Sequence, residues 1–279
     1  MRPKKISIIS SIIIVILIIS IVVLVNNILN KGSKEVKIAK HFIEELYDED
    51  IINGENGFEI SVEEDALRKI SNKSSKIKNS VMVGSYAVDI DKEYKVLGFS
   101  NKNITEVVSE GADIISEDKA ISLAEIYLNK ITKDDYLFKE VKVQEDSQMP
   151  IYNINFYKLK DGHPYYKQEI NVAINNITGK LEGYTNYPVD KMKYINDVNI
   201  TEEEAKDILQ HNLKNLDLNS QIINDPILYY INISDNEMVL AYKFECKVKN
   251  KDNKEDDLVT FVRADNKEVV NLNIEVAAR

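Results

Sequence analysis

The chain has 279 residues, of which 44% are hydrophobic and 29% are charged, a composition typical of a folded protein with room for two or three domains. Its formal net charge of −10 repels the phosphates of nucleic acids, so we exclude nucleic acids as partners. The single cysteine, Cys246, excludes an intramolecular disulfide framework.

The N-terminal segment predicts a membrane anchor. Residues 1–5 carry three basic side chains, and residues 6–28 carry no charge. An apolar helix of about 20 residues is as long as the hydrocarbon layer of a bilayer is thick. Because no small-residue cleavage site follows, we expect an uncleaved signal anchor that crosses the cell membrane once. Basic residues stay in the cytoplasm, so the C-terminal body should be extracytoplasmic.

Residues 34–52 predict an amphipathic helix that follows the anchor. Its apolar side chains recur at helical spacing. They are Val36, Ala39, Phe42, Ile43, Leu46 and Tyr47.

The rest of the chain repeats one pattern at a spacing of about 85 residues, which indicates one structural unit used more than once. Two full units are predicted, at residues 114–188 and 199–279, and a shortened copy at residues 58–104. In the shortened copy, residues 60–66 resemble the helix starts of the two full units.

Each full unit opens with a helix and continues as strands. Ser116 and Thr201 can each cap a helix, and acidic residues follow both, as suits the positive end of a helix. Apolar residues alternate in the segments after each helix, which predicts strands with one buried face.

Turn residues separate these strands. Asp161-Gly162 predicts a tight hairpin turn, and Gly179 marks a second turn before the last strand of its unit. Asn266 takes the corresponding place in the following unit, where we expect it to adopt the left-handed conformation.

These patterns predict an α+β fold. We expect an N-terminal transmembrane helix followed by tandem units, each with one helix packed on its own antiparallel sheet, because every unit offers one striped helix to cover one apolar sheet face.

The repeat resembles the PepSY domain, and especially its tandem YcdB/YcdC-type form in Gram-positive bacteria. The resemblance rests on the helix starts Ser116-Glu117-Asp118-Lys119-Ala120 and Thr201-Glu202-Glu203-Glu204-Ala205, and on the closing hairpin Ile177-Thr178-Gly179-Lys180. It covers about residues 60–279, although the last unit lacks the closing glycine. It implies a membrane-linked, extracytoplasmic protein that binds or inhibits a peptidase. It supplies no catalytic residues.

The residue types that usually carry catalysis do not form a known motif. His41, His163 and His211 are scattered and form no zinc-binding pair, and neither a nucleophile elbow nor a phosphate-binding loop is present. We therefore expect no catalytic, cofactor-binding or metal site. Weak calcium binding by the acids Asp252, Glu255, Asp256 and Asp257 stays open, although their spacing is not that of a calcium loop.

The cysteine and the tyrosines each allow two interpretations. Cys246 lies among alternating apolar residues, which favours a buried filler over a reactive thiol. Tyrosines crowd the strands of the first full unit, either because they suit strands or because they form an aromatic face that binds a peptide or a glycan. They are Tyr152, Tyr157, Tyr165, Tyr166, Tyr184 and Tyr187.

We expect a membrane-anchored, extracytoplasmic module that binds and modulates another protein, such as an envelope peptidase or cell-wall enzyme. Residues 6–28 would contact the membrane. The alternatives are a sensory ectodomain that signals through a membrane partner, and an envelope enzyme whose acidic site forms only in three dimensions.

Overall fold

A computed structural model describes most of the chain after residue 32. The described residues are 33–54, 60–63, 76–77, 79–104, 113–142, 149–216, 219–249 and 255–270. The predicted anchor at residues 6–28 lies outside them. Of the described helices, none is both long enough and apolar enough to span a membrane.

Strands dominate the described part of the chain. Its helices are α1 (Ser33–Asp48), α2 (Glu117–Ile131) and α3 (Glu202–Asn215). Its strands are β1 (Ile60–Glu63), β2 (Asn79–Val83), β3 (Tyr86–Ile90), β4 (Val96–Asn101), β5 (Tyr136–Lys142), β6 (Ile151–Lys160), β7 (His163–Asn175), β8 (Leu181–Asn186), β9 (Lys193–Ile195), β10 (Asn219–Ile222), β11 (Ile227–Ser234), β12 (Glu237–Lys249), β13 (Glu255–Arg263) and β14 (Val269–Val270).

The described residues form two compact units. Unit 1 comprises the described residues within Met1–Ala120, Asp146–Ile151 and Ala173–Thr185. Unit 2 comprises the described residues within Ile121–Glu145, Tyr152–Val172 and Asn186–Arg279.

In unit 1, strands β1, β2, β3, β4 and β8 pair in that order, and all of these pairs are antiparallel. Helix α1 packs against β2 and β3. Its Ala39 and Ile43 are fully buried, and the ring of Phe42 meets that of Phe99 edge-on at 5.7 Å. At the end of α1, the carbonyl of Ile51 accepts a hydrogen bond from the backbone N–H of Leu181 at 2.9 Å.

A buried carboxylate joins two strands of unit 1. Glu182 of β8 is only 4% exposed, and it accepts hydrogen bonds from the side-chain amides of Asn101 at 2.7 Å and Asn175 at 3.0 Å. The side-chain oxygen of Asn175 accepts hydrogen bonds from the backbone N–H groups of Ile177 and Thr178, so the same network shapes the turn between β7 and β8. Such bonds offset the cost of burying a charge.

In unit 2, strands β5, β6, β7, β11, β12, β13 and β14 follow one another in the sheet. Strand β9 is parallel to β12, and β7 is parallel to β11 at the pair Tyr165 and Tyr230. Helix α3 packs against one face of this sheet through its buried residues Ala205, Leu209 and Leu213. A capping box at Thr201 begins α3.

The predicted fold class is wrong. The described chain is mostly strand, and strands of different predicted units pair with one another, so the units are not separate helices on separate antiparallel sheets. Strand β4 pairs with β8, and β7 with β11. Alternation of apolar and polar residues predicts which face of a strand is buried. It does not predict which other strand forms backbone hydrogen bonds with the edge of that strand. The predicted boundaries of the repeats stay a prediction.

The start of the shortened copy also differs from its prediction. Residues 60–66 resemble a helix start, yet Ile60–Glu63 forms strand β1, with Ile60 opposite Val83 and Glu63 opposite Ser80. The β-branched residues Ile60 and Val62 alternate with polar ones, a pattern that suits a half-buried strand. Residues 64–66 lie outside the described ranges.

Similar turns precede strands β4, β8 and β14, the last strands of the three predicted copies. Residues with positive φ precede the last strand of each copy: Tyr94 at 67°, Gly179 at 74° and Lys267 at 69°. The left-handed residue of the last turn is therefore Lys267, and the expectation for Asn266 is wrong by one position. Asn266 instead accepts the backbone N–H of Glu268 through its side-chain oxygen at 3.0 Å.

We predict that Gly98→Ala destabilises the protein by about 2 kcal/mol or more, because the added methyl would overlap the carbonyl oxygen of Tyr184 in the paired strand β8. Gly183→Ala is the matched control in that strand, since its methyl would lie 3.4 Å from the nearest atom, the carbonyl oxygen of Phe99. Chemical unfolding followed by circular dichroism measures both. Equal losses of stability would contradict this account of the β4–β8 contact.

We predict that Lys267→Gly stabilises the protein by about 0.5–1 kcal/mol, because a side chain at positive φ carries a steric cost that glycine lacks. Lys133→Gly, at an exposed position without positive φ, should instead destabilise slightly. Thermal unfolding of the two variants checks the sign. A lower unfolding temperature for Lys267→Gly would contradict the prediction.

Candidate binding groove

An open groove of about 600 Å³ lies in unit 2, and we call it the tyrosine groove. Strands β5, β6, β7 and β12 supply most of its lining. The lining residues are Lys139, Tyr157, Tyr166, Lys167, Gln168, Glu169, Asn171, Tyr187 and Lys243.

Aromatic rings form an interlocked base for the groove. Tyr157 meets Tyr229 edge-on at 5.4 Å, and Tyr166 meets Tyr229 at 6.2 Å and Phe261 at 4.7 Å. Perpendicular rings of this kind are mutually attractive. Burial, together with the neighbouring Tyr229, raises the pKa of Tyr157, so its hydroxyl stays neutral over the physiological pH range.

Lys139 stands at the β5 side of the groove. The pairing of β5 with β6 shifts register between Phe138 and Glu140, so Lys139 is the extra residue of a β-bulge. Its ammonium lies 2.8 Å from Glu169 and 3.1 Å from Glu140, and 5.3 Å from the ring centre of Tyr157. Burial lowers the pKa of Lys139, but the hydrogen bonds to the two carboxylates outweigh it and raise the pKa overall.

Lys243 stands at the β12 side. Its ammonium lies 2.5 Å from Glu245, 5.6 Å from the ring centre of Tyr229 and 5.9 Å from that of Tyr166. Its position over two rings suits a cation–π interaction. The lining holds three lysines, among them the exposed Lys167, and one carboxylate, Glu169. Two further carboxylates, Glu140 and Glu245, pair with Lys139 and Lys243, so the charges are balanced.

The tyrosines divide between the groove and the core, and whether the groove binds a peptide or a glycan stays a prediction. Tyr157, Tyr166 and Tyr187 line the groove. Tyr165 and Tyr184 are each 5% exposed and belong to the buried core. Tyr165 and Tyr166 are adjacent in sequence, so their side chains point to opposite faces of β7. The sequence does not show which of these faces is covered, and therefore does not show which tyrosine is buried.

The three histidines lie in different surroundings. His41 is exposed and lies 3.3 Å from Glu45, His163 meets the ring of Tyr230 edge-on at 6.2 Å, and His211 is exposed on α3. Within the described ranges, no three histidine, cysteine or acidic side chains come together in a group able to hold a metal ion.

The acids at residues 252–257 are only partly described. Glu255 pairs with Lys249 at 3.3 Å and with Lys247 at 3.6 Å, and Asp256 and Asp257 are exposed on β13. Asp252 lies outside the described residues, so calcium binding there stays open.

The exposure of strand β5 was not predicted from the sequence. Leu137 is 47% exposed and Phe138 is 38% exposed, although both lie within a strand. Among the described strands, β5 pairs with β6 alone. Two consecutive apolar residues, Leu137-Phe138, break the alternation of a strand with one covered face and were the available signal.

The groove does not present two facing carboxylates in a deep cavity. Glu140 and Glu169 both bind the ammonium of Lys139. That the chain lacks catalytic activity stays a prediction.

Comparison with solved structures finds relatives of this fold. No family model matches the chain. No curated protein matches its sequence. Among solved structures, the chain is similar to the Bacillus megaterium YpeB C-terminal domain, with a TM-score of 0.52 and 17% identity over 83% of this chain and 96% of that chain. This similarity supports a PepSY-like fold. It does not extend to the YcdB/YcdC-type repeat, which stays a prediction.

We predict that Cys246 is unreactive in the folded protein. It is 1% exposed in the core beneath α3, and burial, assisted by the charge of Glu245, raises the pKa of its thiol to about 11. A chromogenic disulfide reagent at pH 8 should therefore label it only after unfolding. Because the folded pKa is raised, this thiol stabilises the fold below about pH 9, and that contribution is lost as the pH rises toward 11. Rapid labelling of the folded protein would contradict the buried position.

Proposed function

We propose that the chain is a PepSY-type module that binds another protein through strand β5 and the adjoining tyrosine groove. The partner would be an envelope peptidase or cell-wall enzyme, which the module modulates. The observation that carries the proposal is the exposure of Leu137 and Phe138 on a strand that has one described neighbour.

Strand β5 suits the addition of an extended partner segment. A strand with a free edge offers backbone N–H and C=O groups that such a segment can pair with. Successive side chains point to opposite faces of a strand, so Leu137 and Phe138 would each cover one side of the added segment. Burying the apolar surface of these two side chains would favour the complex.

The charges on β5 favour a selective partner over self-association. Lys139, Glu140 and Lys142 follow the two apolar residues, and charged side chains on an edge strand discourage pairing between identical edges. The bulge at Lys139 has the same effect, because it interrupts regular pairing. A partner segment would have to match both features.

We also propose an extracytoplasmic, membrane-linked location. The support is the uncharged run at residues 6–28 after the basic residues 1–5. Residues 34–52 would then hold the binding units close to the membrane surface. A partner in the cell envelope follows from this location.

We predict that Leu137→Ser combined with Phe138→Ser lowers capture of the partner at least fivefold in living cells, because it removes the apolar contacts of β5. In vivo crosslinking of the full chain, followed by mass spectrometry and by binding of the purified captured protein, measures this. Val198→Ser is the matched control, since Val198 is 47% exposed outside the strands. A chain limited to the first 30 residues controls for capture by the anchor. Equal capture by wild type and the double variant, or no envelope protein above the anchor control, would refute the proposal.

A further inference from the structure

We infer that the tyrosine groove binds a neutral oligosaccharide. Its sugar rings stack on Tyr166 and Tyr187, and its hydroxyl groups bond to the ion pairs and amides of the lining. This ligand goes beyond the proposed function, which gives the groove only a protein partner.

The charges around the groove are balanced and already paired. The ammonium of Lys139 binds two carboxylates, at 2.8 Å and 3.1 Å, and that of Lys243 binds one at 2.5 Å. The exposed Lys167 at the rim supplies the third positive charge against these three negative ones. A charged ligand would have to compete with charge-assisted hydrogen bonds, which are among the stronger ones in proteins. A neutral ligand leaves them intact.

The ion pairs suit the hydroxyl groups of a sugar. A hydroxyl donates one hydrogen bond and can accept two. Beside the pair of Lys139 and Glu169, a hydroxyl can therefore donate to the carboxylate and accept from the ammonium without separating them. The side-chain amides of Gln168 and Asn171 in the lining also offer both donors and acceptors. The groove thus matches a ligand that carries many hydroxyl groups.

Two tyrosines provide the stacking surfaces. Tyr166 and Tyr187 are both partly exposed in the lining. The ring of Tyr166 is held by an edge-on contact with Phe261 at 4.7 Å, and the backbone carbonyl of Tyr187 accepts a hydrogen bond from the buried ammonium of Lys158 at 2.8 Å. The negative face of an aromatic ring attracts weakly positive C–H groups, which a sugar ring presents on its own faces.

The lining favours a sugar over an apolar ligand or a peptide. Of the nine described residues that line the groove, three are tyrosines, six carry charged or amide side chains, and none is aliphatic. Pockets for apolar ligands are lined predominantly by hydrophobic side chains. The apolar side chains of a peptide would find no aliphatic surface here. The volume of about 600 Å³ lies within the range of roughly 300–1,000 Å³ that small ligands occupy.

The absence of tryptophan allows a reporter inside the groove. Tyr187→Trp places the only tryptophan of the chain there and keeps an aromatic surface. The probe is chitotriose, a neutral trimer of N-acetylglucosamine, added to the full-length chain in a detergent without a sugar head group. We expect the tryptophan emission to shift as chitotriose is added. Calorimetry should give wild type and Tyr187→Trp affinities within about threefold of each other.

Two further variants locate the binding site. Tyr187→Ala should weaken binding of chitotriose about tenfold, because it removes a stacking surface that Tyr187→Trp retains. Asn171→Ala, at an exposed position, should weaken it about threefold. Tyr47→Ala and Asn103→Ala are the matched controls, at a partly exposed position on α1 and at an exposed one after β4, and should leave binding unchanged. Circular dichroism checks that each variant is folded.

Charged ligands and a charge variant test the neutrality of the site. Lys167→Glu should change the affinity for chitotriose less than about twofold, because the ligand has no charge for this side chain to attract. The glucosamine trimer, at a pH that keeps its amino groups charged, and trigalacturonic acid should bind at least about fivefold more weakly than chitotriose. Cellotriose, which is neutral and lacks the acetamide groups, should bind more tightly than the glucosamine trimer.

Four results would overturn the inference: no binding of chitotriose, tighter binding of either charged trimer, unchanged binding by both Tyr187→Ala and Asn171→Ala, or equal or tighter binding of the neutral capped heptapeptide Thr-Gln-Val-Tyr-Val-Gln-Thr. The proposed function fails separately, when no envelope protein is captured in cells. Chitotriose binding that depends on Tyr187, together with failed capture, would support the sugar site and refute the envelope partner.

Discussion

The backbone pairing of β12 is the constraint on which unit 2 depends. One edge of this strand pairs with β10 and β11, and the other with β13 and β9. Strand geometry then divides its side chains between two faces. Phe244 and Cys246 pack in the core beneath α3, whereas Ala241 and Lys243 face the tyrosines. The same thirteen-residue strand thus supports the core on one face and the groove on the other.

Local signals in the sequence predict local structure well. Thr201 caps α3 as expected, and Asp161-Gly162 forms the tight turn between β6 and β7, with φ of 51° and 81°. These features depend on a few neighbouring residues. The last turn shows the limit: asparagine tolerates the left-handed conformation better than lysine, yet Lys267 adopts it, because the hydrogen bond from the Lys267 N–H to the carbonyl of Arg263 fixes the register.

These local signals do not predict which distant strands pair with one another. Nothing in the alternation of β7 indicates that Tyr165 lies opposite Tyr230 in a parallel pair, sixty-five positions away. For the same reason the sequence predicts a tyrosine-rich face but not the groove, since Lys139, Tyr157 and Lys243 come from three separate strands. Only the exposure of Leu137 and Phe138 had a local signal, and it was too short to distinguish an open strand from a buried one.

The pairing of β4 with β8 has an evolutionary consequence. Gly98 of β4 lies so close to the backbone of β8 that neither strand can be replaced without the other. Loss of either strand by recombination would leave an unsatisfied sheet edge in the other. Selection should therefore keep the two strands together, while the loops between strands are free to change in length.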